Sequence, residues 1–161
     1  MEKMLCAIPL LLLFLLLGAG VSAGEAEDAG AIRETAMRYM VSWYEGDAAG
    51  MKASLHRKLA KRSLRGIFGE PTLRHTSASE MVRYTINGYG KNLWREGARI
   101  HVYVLDRYKD IATVKVVSPD YYEYLHLAKI EGRWVIVNAL YERNTIQAET
   151  DPDEERKCPS N

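Results

Sequence analysis

Apolar positions follow three rhythms along this chain. Over residues 5–17 they are nearly continuous. Over residues 30–45 they return every three or four positions. Ile32, Ala36, Tyr39, Met40 and Trp43 share one stripe, with Arg33, Glu34, Arg38 and Glu45 off it, which predicts an amphipathic helix. Gly46 ends that pattern, and Asp47 is placed to cap a second helix over 48–55, with Met51 and Leu55 facing inward. Residues 56–74 are basic and without a clear period. Gly66, Gly69 and Pro71 break them, so they read as an irregular segment with a short strand at most near 64–68. Ser77 and Glu80 have capping-box spacing and open a third helix that closes at Asn87-Gly88.

Beyond residue 98 the rhythm shortens. Residues 99–106, 111–117, 121–130 and 134–143 are rich in Val, Ile and Tyr and read as strands. Their connections are short, which predicts an antiparallel meander. Helices first and strands afterwards give an α+β chain.

The last hairpin decides which side chains share a face. With Ile130-Glu131-Gly132 as a three-residue loop, Lys129 pairs with Arg133, Tyr124 opposes Asn138 and His126 opposes Ile136. Tyr122, Tyr124, His126, Trp134, Ile136 and Asn138 then share one face, and Leu125, Leu127, Val135, Val137 and Ala139 the other. A two-residue turn at Glu131-Gly132 slips this register by one. In both registers both faces are largely apolar. Three helices cover one of them, so a second copy of the chain is the expected cover for the other, giving a homodimer through the sheet face. The alternative covers are the C-terminal tail and the basic segment.

The ends of the chain narrow the class. Lys3, the apolar run at 5–17 and the small residues Val21-Ser22-Ala23 have the layout of a secretory signal peptide over residues 1–23, so the protein is expected to be exported, periplasmic or secreted. Residues 24–29 read as an acidic linker, 30–143 as one domain, and 144–161 as a disordered polar tail. The apolar run is shorter than a membrane span and is broken by glycine and proline, so no membrane attachment is expected once it is removed. A formal net charge of +1 gives no reason to expect nucleic acid. Cys6 leaves with the leader and Cys158 stands alone, so packing must replace disulfides. No Cys/His spacing suggests a metal, and no motif implies a cofactor.

One stretch carries a family likeness. Tyr124-Leu125-His126-Leu127-Ala128-Lys129, followed by Gly132-Arg133-Trp134 and Ile136-Val137-Asn138, resembles the C-terminal hairpin of putative lumazine-binding proteins. Trp43-Tyr44, Gly46-Asp47, Leu55-His56 and Leu59-Ala60-Lys61-Arg62 resemble their helical half. Glu123 and Tyr141 depart from it, where aspartate and tryptophan are more usual. The resemblance implies the cone of the nuclear-transport-factor-2-like superfamily: three N-terminal helices packed in a strongly curved antiparallel sheet, with a cavity between. That superfamily includes isomerases, dehydratases and cyclases as well as domains that only bind or only dimerise, so fold does not fix function.

Within such a cone the candidate ligand-binding residues are Tyr39, Trp43, His56, Tyr124, His126 and Asn138, suited to a small aromatic or hydrophobic ligand. Each has a plainer reading. Tyr39 and Trp43 are also core positions, His56 also a helix cap, and Tyr124, His126 and Asn138 polar groups able to satisfy one another. Lys61 and Arg62 suit an anion or simply solvent. Glu123 would be a general base if buried, but alternation puts it on the face opposite Tyr124, which counts against it. Cone-fold isomerases need a carboxylate facing an oxyanion donor. The sequence does not place such a pair and no catalytic residue is assigned, so binding is favoured over catalysis.

Overall fold

The computed structural model describes residues 23–67 and 70–144. The expected leader, apart from Ala23, and the expected tail beyond Asn144 lie outside the described residues, as does Cys158. Helix α1 spans Ala23–Glu45 and buries Ile32, Ala36, Tyr39 and Met40. Helix α2 (Ala48–Ser54) is capped by Asp47, whose carboxylate accepts the Ala49 N–H at 3.0 Å. Strands β1 (Leu55–Ile67) and β2 (Glu70–Thr76) follow, then α3 (Ala78–Ile86), whose Ser77/Glu80 box is fully formed. A 3-10 turn at Lys91–Leu93 leads to β3 (His101–Tyr108), β4 (Ile111–Val117), β5 (Tyr121–Ile130) and β6 (Arg133–Arg143).

The six strands form one sheet in the order β2-β1-β6-β5-β4-β3. The α+β cone is as expected, with one refinement: β1 lies parallel to β6, so the sheet is mixed. Helix α1 touches β3, β4 and β6, because the sheet curves round it. Ala112, Val114, Val116, Leu125, Leu127, Ile136 and Ala139 close the inner face against the α1 stripe.

Three expectations are corrected. Residues 24–29 are helix, not linker. They carry Asp28, which accepts hydrogen bonds from Lys129 Nζ (2.8 Å), Trp134 Nε1 (2.9 Å) and Arg107 Nη1 (3.1 Å). Residues 56–74 are not irregular: they form the β1–β2 hairpin. The alternation was disguised because β1 turns Leu59, Lys61 and Ser63 inward, two of them polar, and Arg62 and Leu64 outward. The last hairpin takes the two-residue turn. Ile130 pairs with Arg133 and Lys129 with Trp134, with Glu131 and Gly132 at φ 50° and 75°. Gly132 makes this primed turn possible, since its twist matches that of the strands. A bulge between Leu127↔Ile136 and His126↔Asn138 then shifts the register, so Tyr124 faces Leu140 rather than Asn138.

Candidate functional site

Alternation along β5 points Glu123, Leu125 and Leu127 inward and Tyr122, Tyr124 and His126 outward. Glu123 is therefore opposite Tyr124, as expected, but its face is the concave one. It is 1% exposed. Across the sheet it registers with Tyr141 of β6, and from β1 the Lys61 ammonium meets its Oε2 at 2.6 Å. From α1, Tyr39 donates to the same Oε2 at 3.1 Å and accepts from Lys61 Nζ at 2.5 Å. Lys61, 5% exposed, also lies 4.0 Å from the centroid of the Tyr141 ring. Three distant segments thus meet in one buried, mutually satisfied triad.

The electrostatics follow from burial. Desolvation holds the Tyr39 phenol well above the ordinary tyrosine range, and the Glu123 charge beside it adds to this. Tyr121, at the same end of the cone, is raised mainly by burial. Tyr39 is therefore a neutral donor and Glu123 a hydrogen-bond acceptor. A carboxylate facing a phenolic O–H inside the cone is the kind of pair that the sequence did not place. Here Lys61 binds both members, which ties down the lone pairs a general base would use.

Aromatic rings carry the cluster outward. Tyr141 meets Tyr121 edge-on at 5.6 Å, and Tyr121 meets Trp43 edge-on at 6.3 Å. All three are only part-buried. The Trp43 backbone is gripped by Gly90, where an added Cβ would come within 2.2 Å of the Trp43 carbonyl oxygen. Among the described residues, the Trp43 indole N–H is a buried donor with no protein acceptor. Tyr141 also borders a groove of about 350 Å³ lined by Leu64, Tyr122, Tyr124, Leu140, Arg143 and neighbours. This volume is within the range of small-molecule sites.

The six candidate residues do not form one pocket. Tyr39 and Trp43 belong to the inner cluster. Tyr124, His126 and Asn138 lie on the outer face, because the bulge and the two-residue turn set their register. There Arg62 donates to Asn138 Oδ1 at 3.0 Å, so the Asn138 amide turns its NH₂ to His126 Nδ1 at 3.1 Å. The imidazole is thereby held with its proton on Nε2. His56 is half-buried at the start of β1, where its Nδ1 accepts the Lys58 N–H at 3.3 Å. Lys61 and Glu123 carry more of the site than the sequence suggested. The available signal was a lone glutamate between tyrosines at a strand position; Lys61 stands beside Arg62 in a basic run and gave none.

Comparison with known proteins fits this geometry. A family model described as putative lumazine-binding matches residues 27–142. No curated protein matches the chain. Among solved structures, a nuclear-transport-factor-2-like protein of unknown function from Silicibacter pomeroyi aligns with a TM-score of 0.58 at 17% identity, covering 74% of this chain and 98% of that one. One from Shewanella baltica aligns at 0.59 and 14%, covering 74% and 95%. A ketosteroid isomerase-like protein from Erwinia carotovora aligns at 0.53 and 15%, covering 73% and 96%. At these identities the structures establish the shared fold. Among the described residues no helix is long and apolar enough to cross a membrane, and no group of His, Cys, Asp or Glu is arranged to hold a metal.

Proposed function

The chain belongs to the putative lumazine-binding family, and from that premise we propose that it is an exported protein that binds a small, flat heteroaromatic molecule at the Tyr39–Lys61–Glu123 end of the cone. The observation that carries this reading is the buried triad, bordered by the part-exposed rings of Trp43, Tyr121 and Tyr141. The rings offer stacking surfaces, the Trp43 indole N–H offers a donor without a protein acceptor among the described residues, and the triad holds the rings in place from behind. A pteridine-like ring, apolar on its faces and polar at its edges, matches both. The triad is self-satisfied, which favours holding a ligand over abstracting a proton from it.

A thermal-shift screen of pteridines, flavins, steroids and polycyclic aromatics, with product analysis of every hit, tests the reading. A ligand of the native state raises the melting temperature by mass action. Stabilisation by a heteroaromatic without turnover supports binding. Turnover would move the protein to the enzymes of this fold, and silence across the set would remove the ligand. Export is tested separately by N-terminal sequencing of the secreted or periplasmic protein, expected to begin at or near Gly24.

A second reading, a dimeric interaction module, is favoured by the outer sheet face. Tyr124 and Leu140 are each 44% exposed there, and Leu64 49%. Pairing of two copies on this face is compatible with a ligand in the cone.

A further inference from the structure

The connection from α3 to β3, residues 88–97, lies as a strap against the C-terminal end of α1. Gly90 is buried on Trp43: an added Cβ would come within 2.2 Å of the Trp43 carbonyl oxygen and 2.7 Å of Cδ1, the ring carbon bonded to Nε1. The Lys91 stem covers Gly46, where an added Cβ would meet its Cε at 2.5 Å. The Trp94 ring leans on the Tyr44 ring with centroids 5.0 Å apart, although Trp94 is 43% exposed. The hydrogen bonds of the strap run elsewhere. The Tyr89 N–H reaches back to the Tyr84 carbonyl of α3 at 3.2 Å, and Lys91, Leu93 and Trp94 donate to Gly88, Gly90 and Lys91. Among the described residues no hydrogen bond joins the strap to α1, so packing holds it down. Gly88 and Gly97 flank it at φ 71° and 79°, where glycine turns the chain without strain.

The ring edge that Gly90 covers is the one that carries the indole N–H, a buried donor without a protein acceptor among the described residues. Buried tryptophan N–H groups usually find a partner, and leaving one unpaired is unfavourable. We propose that residues 88–97 and the ligand compete for this edge of Trp43: the strap lifts, and a carbonyl oxygen or ring nitrogen at the ligand's edge accepts the Trp43 N–H. Gly90 fits too closely for a ligand atom to enter while it is seated. Binding therefore requires displacement, and the closed strap lowers the apparent affinity by the fraction of molecules that are closed. Lifting the strap breaks packing contacts but no hydrogen bond to α1, and the ligand returns a hydrogen bond and a stacking surface. An acceptor at the ring edge becomes the recognised feature, because a flat aromatic without one leaves the N–H unpaired. This inference rests on the heteroaromatic reading above and adds to it the ligand group that is read and the segment that gates access.

Calorimetric titration with lumazine, a pteridine carrying carbonyl groups, compares the wild type with Trp94→Ala and Trp43→Phe. Trp94→Ala frees the strap from Tyr44 and should tighten binding about threefold or more. Gly90→Ala, whose Cβ cannot share the space of the Trp43 carbonyl, lifts the strap in a second way and should act in the same direction. Trp43→Phe keeps a ring and removes the donor, and should weaken binding about tenfold. General damage to the fold would weaken binding in all three, so the opposite signs are the signature, and circular dichroism melts show that each variant is folded. Hydrogen exchange on the free protein needs no ligand: amides at 89–96 should exchange well before those of α1 at 36–44. Equal protection of the two segments overturns the inference alone. So does lumazine binding that neither strap variant tightens, or that Trp43→Phe leaves unchanged. No lumazine binding by the wild type or by either strap variant overturns the heteroaromatic reading, and the inference with it.

Discussion

Lys61 illustrates how one side chain can organise a site. Its ammonium answers a carboxylate, a phenol and a ring at once. A buried pair of this kind adds little net stability over apolar residues of the same volume, but breaking it is costly. Lys61→Met leaves Glu123 buried and unpaired, and should destabilise the fold by about 3–5 kcal/mol in denaturant unfolding. Lys61→Met combined with Glu123→Leu should recover most of that loss, and a double-mutant cycle reads the coupling. Tyr39 adds a pH dependence. Its folded pKa is raised, so above the ordinary value of about 10 the unfolded chain loses the phenolic proton while the folded chain keeps it. Stability must then fall as pH climbs past that value. Tyr39→Phe should make the alkaline loss of Tm shallower without abolishing it, because Tyr44 and Tyr121 are also raised by burial.

At the scale of elements, the N-terminal turns of α1 are docked chiefly through Asp28, with Glu25 adding an ion pair to Arg107 at 3.6 Å. Asp28 is held below the ordinary carboxylate range, first by the Lys129 hydrogen bond and then by that of Trp134. A depressed acid contributes above its unfolded value, about 3.9, and its contribution is lost as pH falls through the lower folded value. Asp28→Asn should therefore lower Tm by a constant amount from neutral pH down to about 4, and the gap to the wild type should close in more acid solution. Parallel melts across pH check this. The sequence made some of these elements easy to read and hid others. The α1 stripe, the Ser77/Glu80 box and β3 to β6 were legible because period, cap and β-branched composition agree there. The β1–β2 hairpin was not, because the site itself breaks the pattern: Lys61 faces inward to meet Glu123, so a strand with a buried lysine reads as a basic loop. The register of the last hairpin depended on one turn residue and one bulge, neither of which periodicity reveals. That ambiguity placed Tyr124, His126 and Asn138 with Tyr39, although the sheet stands between them.

At the scale of the molecule, the sheet has two working faces. The inner face wraps α1 and ends in a polar triad behind aromatic rings; the outer face carries a relay of Arg62, Asn138 and His126. Both polar sets lie on otherwise apolar surfaces, where polar groups are retained at a cost. The central claim, a heteroaromatic ligand at the triad, is tested most directly by one comparison. The wild type and a Lys61→Met/Glu123→Leu variant, which keeps the volume of the pair and removes its charges, are melted against increasing concentrations of a pteridine. For the wild type, saturable stabilisation reaching roughly 10 °C at about a hundred times Kd is expected, with affinity at least tenfold weaker in the variant. No saturable shift in the wild type, or equal shifts in the two proteins, would contradict the account.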